Sequence, residues 1–359
     1  MTIQTGRRRA VVQLLALSGG AAIGIPRIAS AQQAVPPKPM SIVVNAAGGS
    51  VNKALREAFF NEFEKRYGIK VIDTSPTDFG KLRAMVQSGN VEWSVMEINE
   101  ADAERAIKMN LLEPLDRTVI NMAGHPKELQ DNKYVVTRGI YSTVLGYRTD
   151  VYANRPRPTG WAEFWNVTKF PGPRALRNSP VDNLEFALMA DGVKPSQIYP
   201  IDIDRAFRKM DQIKAHVSVW WTTGAQSAQV LIDKEVVLGT AWHGRFYTAI
   251  QDGAPIAIDF NEGIIHRTPF GIPRGAKDAY WGQRFLALLT EPQLQAKYAN
   301  QMSYPGLHKD AINYTDPAMI PFLPTSANNL PKMVWTNAEW WNNNADPVQE
   351  RWNRWMLAR

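Results

Sequence analysis

The chain predicts an α/β protein of two lobes, each a mostly parallel sheet flanked by helices. Its 359 residues are enough for two domains and a substantial core. Strand-length apolar runs alternate with helical repeats from residue 41 onward, the pattern that lays down parallel strands. A Pro-rich stretch at 155–158, after Arg148-Thr149-Asp150, reads as a hinge and linker between two sets of such elements. At 45% hydrophobic and 21% charged residues, the composition is that of a soluble globular protein.

The N-terminus reads as an export signal over residues 1–31. Arg7-Arg8-Arg9 form its charged part, Ala10 to Ile25 its apolar part, and Ala29-Ser30-Ala31 an A-x-A cleavage site. The pair Arg8-Arg9 before Ala10-Val11-Val12 resembles a twin-arginine signal, although the Ser or Thr usual before the pair is missing. General secretory export stays open beside it, and a periplasmic protein is expected. Four of the 41 basic residues lie in this segment, so the formal charge of +7 falls to +3 without it. That balance, with no Lys/Arg block, gives no reason to expect nucleic acid. The absence of cysteine excludes disulfides, thiolate metal sites and a cysteine nucleophile.

In order, Ser41 to Asn45 reads as a buried strand. Ala46 to Ser50 is a Gly-rich loop in which Ser50 is placed to cap the next helix. Val51, Leu55, Phe59, Phe63 and Tyr67 recur every four residues, and Gly68 ends the helix. Ile69 to Ile72 and Val95 to Ile98 read as strands, separated by a helix that Asp78 caps. A helix over 101–109 follows. The three loops 46–50, 74–78 and 97–100 then point one way. Tyr141 to Tyr147 is a strand in a new context, and helices follow at 161–165, after Pro180, and at 203–213. Trp220-Trp221 runs through Thr-Thr-Gly into a helix, then a strand at 236–241, then Trp242-His243-Gly244-Arg245. A strand at 255–260 delivers Asp259, Asn261 and Glu262 to an expected turn at Gly263. Phe270 to Pro273 is a strand returning to the first lobe. Near the C-terminus Val348, Trp352, Trp355 and Met356 share one helical face.

Strand ends that carry Trp, Arg, Asp and Glu into loops suit a ligand site in an open α/β sheet. Trp220, Trp221 and Trp242 could wall a pocket, because a Trp face attracts a cation. Arg245 could hold a carboxylate bidentately, and Asp259 and Glu262 an amine. The competing readings are core aromatics and ordinary turn chemistry. No catalytic or metal constellation is present: no H-E-x-x-H, no G-x-S-x-G, no paired His at metal spacing. No cofactor or metal is therefore expected. A secreted enzyme would need a general base such as Glu97, Asp259 or His266 beside a nucleophile, and no spacing supports that. A ferric-ion binder would want clustered tyrosines, and Tyr141, Tyr247 and Tyr304 are not so arranged.

The phrases EVVLGTAWHGR, QDGAPIAIDFNEG and FGIPRGAKD resemble the extracellular solute-binding proteins of ABC importers, in the spermidine/putrescine-type branch. TDFGKLRAMVQSGNVEWSVMEIN, LLEPLD, GYRTDVY and RALRNSPVDNLEFALMADG follow at the family's spacing, so the resemblance covers roughly 40 to 345. It implies a type II periplasmic binding protein fold with the ligand in the cleft. Residues 40–148 and 268–359 would form the first lobe, with the C-terminal helices docking across, and 149–267 the second. It also implies no enzyme activity, a small-molecule solute and a membrane permease as partners, and a monomer. In polyamine-binding members, acids grip the amines and aromatics box them. The family's box tryptophan falls on Trp242 and a second on His266. An aspartate falls on Thr268, two helix-start acids fall on Ser179 and Asp182, and the first-loop acid falls in Ala47-Gly48-Gly49. With cations at Arg174, Arg245 and Arg267, the resemblance implies a mixed site for a solute with acid and amine ends, such as 4-aminobutyrate. Polyamine binding proper is the alternative. The candidate ligand-binding set is Gly49, Ser50, Ser75, Thr77, Asn99, Tyr141, Ser179, Asp182, Trp221, Thr223, Trp242, Arg245, His266 and Thr268.

Overall fold

A computed structural model describes residues 35–358, and the chain from Lys38 onward forms one compact unit. The expected export signal lies outside the described residues. Strand β1 (Ser41–Asn45) leads to helix α1 (Gly49–Leu55), a π-helical turn (Arg56–Phe60), α2 (Asn61–Tyr67) and strand β2 (Lys70–Thr74). Val51, Leu55, Phe59, Phe60 and Phe63 are all buried, so the fourfold repeat forms one continuous wall. Gly68, at φ 66°, stops it in the left-handed conformation. Ser50 does not cap α1. Gly48 occupies the cap position with no side chain to offer, and the Ser50 hydroxyl instead accepts from Arg245 at 2.7 Å. Gly48 is required there: at φ 87°, a Cβ would also meet Ser75 Oγ at 2.8 Å. Asp78 does cap α3 (Phe79–Ser88), accepting from the Lys81 amide at 2.9 Å. Strand β3 (Val95–Glu97), α4 (Glu100–Lys108) and α5 (Lys127–Gln130) follow.

The middle of the chain holds β4 (Val135–Arg148), α6 (Trp161–Trp165), β5 (Arg174–Arg177), α7 (Asn183–Ala190), α8 (Ile203–Lys214) and β6 (Val217–Trp221). Then come α9 (Gly224–Ile232), β7 (Leu238–Trp242), α10 (His243–Gln251) and β8 (Ile256–Gly271). The C-terminal part adds α11 (Ala279–Leu288), α12 (Pro292–Met302), β9 (Val334–Trp335) and α13 (Ala338–Leu357).

The strands form one sheet in the order β2-β1-β3-β8-β4-β7-β5-β6, with β9 on β8. Its two ends are parallel: β1 pairs with β2 and β3, and β5 with β6 and β7. Its middle is antiparallel, because β8 runs against β3 and β4, and β4 against β7. The turn expected at Gly263 is absent. β8 continues through it, and the ladder to β4 shifts register between Thr143 and Leu145. The Asn-Glu-Gly residues form a bulge, with Glu262 at φ 58°. Asp259 and Glu262 therefore face Arg157 and the Trp161 amide rather than a ligand loop.

One core gathers residues 42–136 and 270–304. Two others lie on opposite faces of the second half of the sheet. Leu145 and Leu176 belong to one, Val144 and Ala175 to the other, as strand alternation demands. Helix α13, expected with the first lobe, buries Trp341, Val348 and Trp352 in the same core as Leu145. Trp220, offered above as a pocket wall, packs edge-on at 5.7 Å against Trp352 and 5.6 Å against Trp355, so it is the socket for this helix.

Candidate functional site

A cleft of about 420 Å3 opens where these cores meet. The carboxyl ends of β3, β5 and β7 supply Glu97, Arg177 and Trp242 to its lining, as expected for an α/β sheet. The paired strands β4 and β8 contribute Arg138, Tyr141 and His266 from below. The first turn of α4 and the inner face of α13 close the remaining side with Ala101, Ala338, Trp341 and Ala345.

Arg138 dominates the electrostatics. It sits in mid-strand, 2% exposed, with its guanidinium 4.1 Å from the centre of the Tyr298 ring. Its Nε and Nη1 have no hydrogen-bond partner among the described residues. Glu97 lies nearby, 9% exposed, with Oε2 unpartnered. Burial pushes the Glu97 carboxyl above the usual carboxylate range, while the charge of Arg138 works the other way. No ion pair joins the two among the described residues. A buried charge without a partner is costly, so this end of the cleft is built for a charged group that the protein itself does not supply. Arg177 adds a second guanidinium, 5.5 Å above the Trp242 ring and 5.8 Å from Trp221.

An aromatic wall stands beside the cations. Tyr141 stacks on His266 at 4.8 Å and 18°, and meets Trp242 edge-on at 5.9 Å. His266 is held from behind: Nε2 is 2.7 Å from Asp182 Oδ1, and Asp182 Oδ2 accepts from Thr143 Oγ1 at 2.7 Å. Burial works against both charges, yet each partner stabilises the other. The imidazole is held above its ordinary value and the carboxyl below its own. Behind this pair lies Glu185, fully buried. It accepts from Tyr199 at 2.7 Å and from the Trp341 indole at 2.8 Å. Burial, and then the Asp182 charge, push Glu185 up to about 7.

Of the fourteen residues singled out from the sequence, Thr77, Asn99, Tyr141, Trp242, His266 and Thr268 line the cleft. The others do not. Gly49 opens α1, Ser50 is tied to Arg245, and Ser75 packs beneath Gly48. Ser179 accepts from the Val181 amide at 3.2 Å, and Asp182 stands behind His266. Trp221 is fully buried and bonded to Thr240, and Thr223 caps α9. Of the cations expected at Arg174, Arg245 and Arg267, Arg245 does not line the cleft and donates to Ser50 through Nη1, though its Nε has no partner among the described residues, and the other two are engaged. Arg174 is buried against the carbonyls of Phe164, Phe170 and Gly172, and Arg267 lines the cleft but pairs with Glu100 at 3.1 Å. Among the described residues, Arg138 and Arg177 line the cleft with aromatic rings but no ion pair to hold them, and neither was singled out. A signal existed for both: Arg177 ends a strand, and Arg138 interrupts the apolar run VVTRGIYSTVLGY. Nothing local marks the C-terminal wall, because a helix face of tryptophan and alanine reads as core.

A family model described as bacterial extracellular solute-binding protein matches residues 58–324. The chain is 31% identical over 324 residues to a gamma-aminobutyric acid-binding protein of Pseudomonas aeruginosa, covering 88% of this chain and 90% of that one. It is 23% identical over 258 residues to the spermidine/putrescine-binding periplasmic protein of Escherichia coli, covering 68% and 72%. Among solved structures, an ABC transporter substrate-binding protein from Bradyrhizobium japonicum superposes with a TM-score of 0.84 at 35% identity, over 89% of this chain and all of that one.

Proposed function

Because the chain belongs to the bacterial extracellular solute-binding proteins, we propose that its cleft captures a small amino acid with separated acid and amine ends, 4-aminobutyrate being the type, and delivers it to the permease of an ABC importer. The observation that carries this is Arg138, a buried guanidinium with two unpartnered nitrogens at the cleft wall. A carboxylate in the cleft supplies the counter-charge that this guanidinium lacks. Arg177 shares the load, and Glu97 with the faces of Tyr141 and Trp242 suits the ammonium end. A polyamine would bring two or more positive charges against both guanidiniums, with the repulsion strengthened by burial. The gamma-aminobutyric acid-binding relative and the mixed charge of the lining agree with this choice. The function is recognition, with no bond made or broken.

The lobes would close about β4 and β8, the two strands that run between the cores, in the hinge manner of periplasmic binding proteins. Arg8-Arg9 supports export to the periplasm by the twin-arginine route.

Isothermal titration of the mature protein, unfolded and refolded to strip any carried solute, tests the solute class. 4-Aminobutyrate should bind, and Arg138→Gln should weaken it by roughly 30-fold or more, the cost of removing one partner of a buried charged contact being about 2–5 kcal/mol. Tight binding of spermidine that Arg138→Gln leaves untouched would overturn the proposal.

A further inference from the structure

The cleft is larger than a bare ω-amino acid needs, and its far end is chemically different from its charged end. Its volume of about 420 Å3 equals roughly fourteen waters at about 30 Å3 each. 4-Aminobutyrate has about half that many heavy atoms, and bonded atoms take less room than waters, so it fills well under half of the space. One side of the remainder is apolar, with Ala338, Trp341 and Ala345 of α13 beside Val181, whereas the facing turn of α4 is mixed, Ala101 lying between Glu100 and Asp102.

This apolar end is a built part of the protein. Trp341 is 4% exposed, and its indole N–H is bonded to the buried Glu185 carboxylate at 2.8 Å. Further along α13, Trp352 is fully buried and donates to Asn178 at 3.0 Å, and Trp355 donates to Asp211 at 2.7 Å. The start of the helix, capped by Asn337, is thereby fixed against the cleft, opposite the first turn of α4. A bolted indole face with two alanines beside it leaves a recess shaped for a flat or branched apolar group.

We infer that α13 forms a second subsite, and that the preferred solute is an ω-amino acid bearing an apolar substituent that lies against Trp341 between Ala338 and Ala345. The inference rests on the carboxylate end assigned to Arg138 above. Burial of an apolar group of ring size in such a recess is worth tenfold or more in affinity.

The test uses N-benzyl-4-aminobutyrate, which keeps both charges and adds one ring at the amine end, against 4-aminobutyrate itself, by isothermal titration of the full mature chain. The benzyl compound should bind at least tenfold tighter. Ala345→Trp, which fills the recess, should lower that preference at least tenfold. Ala338→Leu is the milder second variant, should the first fail to fold. Tight binding of 4-aminobutyrate with no gain from the benzyl group would overturn the subsite and leave the solute class standing. An unchanged preference in both variants would also overturn it. Binding of neither compound would sink both the subsite and the solute class.

Discussion

A guanidinium with no partner inside a protein is a debt of free energy that the ligand-free state carries alone. Removing it should therefore split two measurements that normally move together. Arg138→Gln is expected to cost the ligand-free protein little, because two buried nitrogens without hydrogen-bond partners disappear along with the Tyr298 ring contact and the charge beside Glu97. The same variant should lose its solute. Thermal melting without and with 4-aminobutyrate reads both, and a large loss of ligand-free stability would show that Arg138 has a structural partner. The His266–Asp182 pair makes a second statement at this scale. His266 is raised, so its contribution is complete below the ordinary imidazole value of 6.5 and fades as pH rises through its folded value. Asp182 is lowered, so its contribution is present above 3.8 and fades as pH falls through its folded value. The pair is thus strongest between those limits. The destabilisation caused by Asp182→Asn should be larger at pH 6 than at pH 9, as measured by denaturant unfolding. An equal loss at both pH values would mean that His266 is neutral throughout.

Among the elements, α13 and β4 show how far local pattern reaches. The Val348-Trp352-Trp355-Met356 face identifies α13 as a docking helix, and Trp352 is indeed fully buried, with Phe207 and Trp220 against it. Trp352→Ala should cost about 4 kcal/mol, the usual range for truncating a buried aromatic being 3–5, and should loosen the cleft wall with it. Denaturant unfolding gives the first effect, and titration with 4-aminobutyrate the second. β4 carries a tighter constraint. A Cβ on Gly139 would lie 2.3 Å from the Pro305 carbonyl oxygen, so Gly139→Ala must displace the backbone beside Arg138. Solute affinity should fall in that variant even where the protein still folds, and titration would detect it. Unchanged affinity would show that the strand has room to give.

Over the whole molecule, two cores are joined by paired strands with a cleft between them, which is a geometry made for closure. Saturating 4-aminobutyrate should lower the radius of gyration in small-angle scattering. At about 100 times its dissociation constant it should add ~2.7 kcal/mol of stability. A thermal shift without compaction would mean that the solute binds to a preformed, already closed cleft.

Much of this architecture is legible in the residues themselves, because periodicity reports burial. The four-residue repeat from Val51 to Tyr67, the cap at Asp78, and the stop at Gly68 are local physics, and they appear where the sequence puts them. The sequence also determined the family, since its phrases span most of the chain. It did not determine β8. Asn261-Glu262-Gly263 is good turn chemistry, and only the pairing of that segment with β4 decides that it bulges within one strand. Nor did it determine which cations face the cleft. Arg174 and Arg177 are three residues apart in one strand, so they point to opposite faces. Arg174 is consumed by three backbone carbonyls, and Arg177 is left over the Trp242 ring. Whether a charge is spent inside the protein or kept for a ligand depends on what other segments bring to it, and distant segments meet only in the tertiary structure.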